Sequence, residues 1–401
     1  MRLNLISRLA ACGAVFAMAA CAAPASAPEA ADERAAPSPP PLPTLTSAPP
    51  TATPPPATAT PVSLTPTAIP EEVVADLEAW LADLGQKGLF SGAVLVANQG
   101  QVLFSHGYGL ADREKHIGNT PETRFRLGSL TKQFTAMAIL ILEARGQLTA
   151  ADSVCRYLDD CPAAWQAITL AHLLTHTSGL PNYTALPDYL AQRATPVAPA
   201  QLLARFQDLP LDFPPGQGWR YSNSGYAVLG WVIERVTGQT YAAFLRQAII
   251  EPLGLSNTGY DHNADGVAVG YNDQYSSLPA DYIDMSIPYA AGALYSTVTD
   301  LYQWDQALYT ERLVPRAYLD KLTTAPAPIP DSGGWGYSYG WGILQAPGQT
   351  IWQHSGGIEG FATVITRYPD SRATIIVLSN EGDANVQEIS TLLDKQLFGR
   401  P

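Results

Sequence analysis

The chain has 401 residues, 46% hydrophobic and 15% charged, with a formal net charge of -13. That is enough apolar material for one large or two ordinary domains with a sizeable core. It has no Lys/Arg-rich run to neutralise phosphates, which excludes nucleic acid as a partner.

The first twenty residues carry Arg2 and Arg8, then the apolar run "LAACGAVFAMAA". This run is too short to span a bilayer and suits the hydrophobic region of a signal peptide over residues 1–20. "MAAC" at 18–21 resembles the lipobox of bacterial lipoproteins, which implies a lipid anchor on Cys21 at the outer face of a cell membrane. Simple secretion, with cleavage at a nearby small residue, is the alternative. Residues 22–70 hold 15 of the 34 prolines and no aromatic residue. Such a composition buries too little surface to fold, so 21–70 is expected to be a semi-rigid, extended spacer.

The folded part is expected over 71–400. "EEVVADLEAWLADL" (71–84) places Val, Leu and Trp at helical spacing behind acidic residues suited to a helix N-terminus. "SGAVLVANQGQVLFSHGYG" is two apolar runs around "NQG", a hairpin signal. "FRLGSLTKQFTAMAILILEARG" (125–146) predicts a helix that is apolar on nearly every side, with Lys132 near its start. From about 147 to 290 short helices alternate with Pro- and Gly-containing loops. Within that stretch Cys155 and Cys161, six apart in "CRYLDDC", can close a small disulfide loop in an oxidising compartment or remain as two buried thiols. "FATVITRYPDSRATIIVLSN" gives two β-rich runs around a turn, and "VQEISTLLDKQLFG" a closing helix. The order predicts an α/β (α+β) fold. An antiparallel sheet is flanked by helices, with a mainly helical subdomain (about 147–289) inserted between the sequence halves 71–146 and 290–400.

Ser129 precedes Lys132 by three, so on a helix both side chains project from one face. A serine hydroxyl is a poor nucleophile until a base takes its proton. Lysine serves as that base only if its pKa falls, and burial at a helix N-terminus pushes in that direction. The same helix end offers free N–H groups to a developing oxyanion. Without further context, Ser129 reads equally as an N-cap and Lys132 as a snorkelling surface residue.

That context is supplied by "SLTK" (129–132), "YSN" (221–223) and "HSGG" (354–357), together with the strings "HLLTHTSGL", "PPGQGWRYSNSGYAVLGWVIERVTG", "EPLGLSNTGY" and "AAGALYSTVTDLYQWDQAL". Over roughly residues 72–400 the chain resembles the serine β-lactamase and penicillin-binding protein superfamily. The likeness is to the branch with class C β-lactamases, DD-carboxypeptidases, D-aminopeptidases and esterases. The resemblance implies a β-lactamase-like fold and acyl transfer to a small peptide, amide, ester or β-lactam, including cell-wall peptides. Ser129 would be the acylated nucleophile, Lys132 its partner and Tyr221 the proton shuttle. Asn223 would hold a substrate amide or carbonyl, and His354, Ser355, Gly356 and Gly357 would form the third motif. The N–H groups of Ser129 and Gly357 would make the oxyanion hole. No metal or cofactor is required.

The third motif departs from the family at its first position, which is commonly Lys. A neutral imidazole attracts a substrate carboxylate less than an ammonium does, so His354→Lys is expected to shift preference toward anionic substrates. Two further signals compete for the active site. "GYSYG" (336–340) matches a G-x-S-x-G elbow at Ser338, but its flanks read as strand and no acid follows before His354. His172 and His176 have the i, i+4 spacing of metal ligands, but neither a Glu between them nor a third ligand accompanies them. Two function classes follow from the sequence: a serine hydrolase, or a penicillin-binding or ligand-sensing surface module without turnover.

Overall fold

The computed structural model describes residues 69–262, 266–324 and 326–399. The signal segment, Cys21 and all but the last two residues of the 21–70 spacer lie outside the described residues.

Helix α1 (Glu71–Gln86) starts behind Pro70, with Glu71 and Glu72 in its first turn, where the helix dipole favours negative charge. The hairpin follows as β1 (Gly92–Asn98) and β2 (Gln101–Tyr108). Its turn residues Gln99 and Gly100 both have positive φ, +51° and +75°, the conformation that matches the twist of a two-residue hairpin. Alternation along β1 sends Ala93, Leu95 and Ala97 into one core cluster and Val94 and Val96 into another. Both faces of the sheet are therefore covered.

On one face lies α2 (Thr131–Ala144), in which every residue from Thr131 to Leu142 is buried. Ser129 does not lie on this helix. It sits in a 3₁₀ turn, Gly128–Leu130, that enters α2. The chain then runs through short helices to α3 (Asn223–Thr237), whose apolar side packs against α2. Cys155 and Cys161 are joined in a disulfide, with Cα atoms 5.2 Å apart. Nearby Asp159 pairs with Arg235 in the last turn of α3, at the end opposite Asn223.

After α4 (Val298–Ala307) come the remaining strands of the main sheet: β3 (Ala327–Pro328), β4 (Gly336–Ser338), β5 (Trp341–Ala346), β6 (Gln349–Ile358), β7 (Phe361–Tyr368) and β8 (Ala373–Ser379). The closing helix α5 (Val386–Phe398) joins α1 on the second face of the sheet. The strand order is β2-β1-β8-β7-β6-β5-β4-β3, with every pairing antiparallel. β1 pairs with β8, Gly92 opposite Ser379, so the early hairpin completes a sheet built from late strands. This is the α/β fold expected from the sequence, with an antiparallel sheet, flanking helices and a helical stretch between its two sequence halves.

A buried ion pair ties α4 to the sheet. Asp305 accepts from Arg367 Nε at 2.6 Å and from Thr374 Oγ1 at 2.8 Å, while the Arg367 guanidinium lies over the rings of Trp352 and Tyr309. Both charged groups are almost completely buried, so they depend on each other and on these extra contacts.

Candidate active site

Lys132 is the second residue of α2 and is fully buried. Its Nζ lies 2.9 Å from Ser129 Oγ, 2.8 Å from Asn223 Oδ1 and 2.8 Å from the Ala291 carbonyl. Asn223 is the first residue of α3, so two helix N-termini converge on this amine, and both positive ends disfavour an ammonium. Burial alone holds the Lys132 pKa well below its ordinary value. As a neutral amine, Lys132 donates its two protons to Asn223 Oδ1 and Ala291 O, which can only accept. Its lone pair is then left facing the Ser129 hydroxyl.

Each partner is held in turn. Asn223 Nδ2 donates to Thr184 Oγ1 at 3.1 Å, which fixes the amide so that its oxygen points at Lys132. Ala291 lies in a short helix, Tyr289–Gly292, entered through Tyr289 at φ +41°, a strained value for an aromatic residue. That turn delivers two successive carbonyls to α2: Ala290 O to Thr135 Oγ1 and Ala291 O to Lys132 Nζ.

The Tyr221 ring centroid is 4.8 Å from Lys132 Nζ. Burial raises the phenol's pKa above its ordinary value, with the neighbouring Ser129 as a smaller opposing effect. Tyr221 is therefore protonated at rest. His176 supports it from beneath, with ring centroids 4.3 Å apart, and His176 Nδ1 accepts the backbone N–H of Ser222 at 3.2 Å.

The third motif is on β6. A Cβ added at Gly356 would lie 2.0 Å from Leu127 O and 3.1 Å from Ser129 N, so only glycine lets the strand come this close to the nucleophile turn. Gly357 is exposed, and a Cβ there would meet open space. Gly128, at φ +52°, abuts the Gly357 backbone from the other side. The backbones carrying the Ser129 and Gly357 N–H groups thus meet at one edge of a 70 Å³ cleft that Ser129, Asn223 and Gly357 help to line.

His354 is placed differently. It is buried, does not line the cleft, and uses both ring nitrogens within the protein. Its Nδ1 donates to the Ser355 carbonyl at 2.6 Å, which leaves Nε2 to accept from Tyr337 Oη at 2.9 Å. Burial, with a smaller contribution from Lys132, pushes its pKa down to about 3, so the imidazole is neutral. Ser355 is partly exposed on the same strand.

The competing signals fall away for structural reasons. Ser338 is buried on β4 and its Oγ reaches only the Lys321 carbonyl, at 3.5 Å. His172 Nδ1 accepts from the Thr169 N–H in a capping box, whereas His176 lies beyond that helix at φ +61°. The two imidazoles therefore serve different elements.

A sequence model of the Beta-lactamase family matches residues 74–396, most of the chain. The chain belongs to the beta-lactamase family. Members of this beta-lactamase and penicillin-binding-protein-like family are serine hydrolases. Among its relatives is a penicillin-binding protein of Bacillus subtilis, 32% identical over 346 residues, covering 81% of this chain and 76% of the relative. Two solved structures are similar. The octameric penicillin-binding protein homologue from Pyrococcus abyssi is 28% identical with a TM-score of 0.72, over 82% of this chain and 78% of that one. A D-stereospecific amidohydrolase from Streptomyces sp. is 27% identical with a TM-score of 0.68, over 81% and 99%.

Sequence reasoning did not find the Ala291 carbonyl, Thr184 or the packing role of His176. A backbone carbonyl leaves no residue signature. His176 is within the string "HLLTHTSGL", where its i, i+4 spacing to His172 drew attention to metal ligation instead.

Proposed function

We propose that this family member is an extracytoplasmic serine hydrolase that cleaves a small amide, peptide or ester through an acyl-enzyme on Ser129. The observation that carries this is Lys132, a fully buried amine whose Nζ lies 2.9 Å from Ser129 Oγ. In the first half-reaction Ser129 Oγ attacks the substrate carbonyl carbon as its proton passes to Lys132. The N–H groups of Ser129 and Gly357 receive the oxyanion. Tyr221, protonated at rest, hands its proton to the leaving group and is re-protonated from Lys132. In the second half-reaction a water takes the leaving group's place and the same groups run in reverse, releasing the acid and free Ser129. With Lys132 as the resting base, Tyr221 acts as the conduit between it and the leaving group.

The Cys155–Cys161 disulfide supports an oxidising, extracytoplasmic location. Together with the signal-like segment and Cys21, it supports a protein anchored to, or released from, the outer face of a bacterial membrane. The similarity to penicillin-binding proteins and to a D-stereospecific amidohydrolase supports an amide or peptide substrate, cell-wall peptide included.

The test is intact-mass spectrometry of the domain from about residue 70 after brief exposure to a fluorescent penicillin or a p-nitrophenyl ester, with Ser129→Ala as control. A mass increase on Ser129 that decays with product release is expected. An adduct that never decays would favour the non-turnover sensing module, and no adduct from either reagent would remove the hydrolase reading.

A further inference from the structure

From the charges around the cleft we infer that the substrate carries a cationic amino group beside the reacting carbonyl, bound by Glu359. The inference rests on the hydrolase reading of Ser129. Glu359 follows β6 in the tight turn to β7, two residues beyond Gly357 or about 6–7 Å along the chain. Gly360 fixes this turn: at φ +79° its Cβ position would lie 2.6 Å from Gly270, so no side chain fits and the turn is held against the neighbouring loop. A carbonyl oxygen seated at the Gly357 N–H therefore places a substituent on the adjacent carbon within reach of the Glu359 carboxylate.

Among the described residues, Glu359 is the only carboxylate lining the cleft, and no Lys, Arg or His lines it. Lys132 is behind Ser129 with its protons committed, and His354, at the position where the family commonly carries a lysine, is buried and neutral. Arg193, beside the cleft, is shared between two acids. Its Nη2 binds Asp281 at 2.5 Å and its Nη1 reaches Glu359 at the looser distance of 3.3 Å. One guanidinium between two carboxylates leaves this group of three net negative. A ligand ammonium gains there, and a ligand carboxylate next to the scissile bond is repelled.

The experiment measures inhibition of p-nitrophenyl acetate hydrolysis by three ligands of similar size that differ in the charge of the substituent beside the carbonyl: alaninamide, lactamide and methylmalonamate, the first two as D and L forms. For the better enantiomer, inhibition constants are expected to rise in that order, with about ten- to hundred-fold between the cationic and neutral ligands. In Glu359→Gln the ratio of the two constants, not the absolute rate, is the readout, and it is expected to fall toward one. An ordering by charge that survives in Glu359→Gln, or wild-type protein that binds the neutral or anionic amide better, overturns the assignment. Wild-type protein that neither forms a Ser129 adduct nor hydrolyses p-nitrophenyl acetate overturns the hydrolase reading, and this inference with it. An active enzyme without charge ordering overturns this inference alone.

Discussion

Replacing Lys132 by Met separates the amine's chemical role from its structural cost. Lysine titrates near 10.4 when exposed, so holding it neutral at pH 7 costs the folded state about 4–5 kcal/mol. Lys132→Met removes that cost but leaves Ala291 O and Asn223 Oδ1 without donors, at about 1–3 kcal/mol each. The two effects cancel to within about 3 kcal/mol at pH 7, so the variant is expected to fold. The sign of the pH dependence is more telling. The folded-state pKa is depressed, so the unfolded chain binds the extra proton, and wild-type stability rises with pH from the folded pKa up to about 10.4. The wild type should therefore gain on the variant by about 1.4 kcal/mol per pH unit between pH 7 and 9, with all other titrations cancelling in the difference. Urea melts of both proteins at pH 7, 8 and 9 measure this, and acylation by a p-nitrophenyl ester is expected to fall about 10²–10⁴-fold. Parallel stability curves would show that Lys132 keeps its proton, and the base assignment would be withdrawn.

Three further perturbations test other parts of the site and fold. Gly356→Ala forces a Cβ to within 2.0 Å of Leu127 O and should push β6 away from Ser129, lowering kcat for ester hydrolysis about 10²–10³-fold; activity within threefold of wild type would refute the oxyanion placement. His354, pushed down to about 3, is neutral when folded but protonates near 6.5 when unfolded, so it costs the wild type about 1.4 kcal/mol for each pH unit below 6.5, until the folded pKa is reached. The stability of His354→Gln relative to wild type should rise by that slope between pH 6 and 4, and a flat difference in calorimetry would sink the reasoning. The double replacement Cys155→Ala, Cys161→Ala should lower stability by about 2 kcal/mol, checked by urea melts with and without reductant, which should not affect the variant.

The elements legible in the sequence were those whose pattern is local. The "NQG" turn set the β1–β2 hairpin, and the apolar run from Phe134 to Leu142, broken only by Thr135, showed α2 to be buried all round. The Ser129–Lys132 offset was legible for the same reason, although the serine occupies a 3₁₀ turn. What stayed hidden depends on closure in space. His354 reads as a cleft residue from its place in "HSGG", yet strand alternation turns it inward to Tyr337 while Gly357 faces out. Nothing around residue 291 marks a carbonyl that meets a lysine 159 positions earlier. Glu359 looked like an ordinary turn residue, because the pairing of Arg193 with two acids exists only once distant loops meet.

The junction between the nucleophile turn and the third motif joins distant parts of the chain: Thr363 Oγ1 donates to Leu127 O across 236 residues, and β8 must seat beside β1 before the sheet is complete. Such long-range pairings make folding slow, because the loop-closure entropy is lost before the contacts that reward it can form. A growing chain that has already produced Ser129 and Lys132 still lacks the strand that faces them. The reactive serine should therefore gain its oxyanion partner late, only when the closing strands have seated.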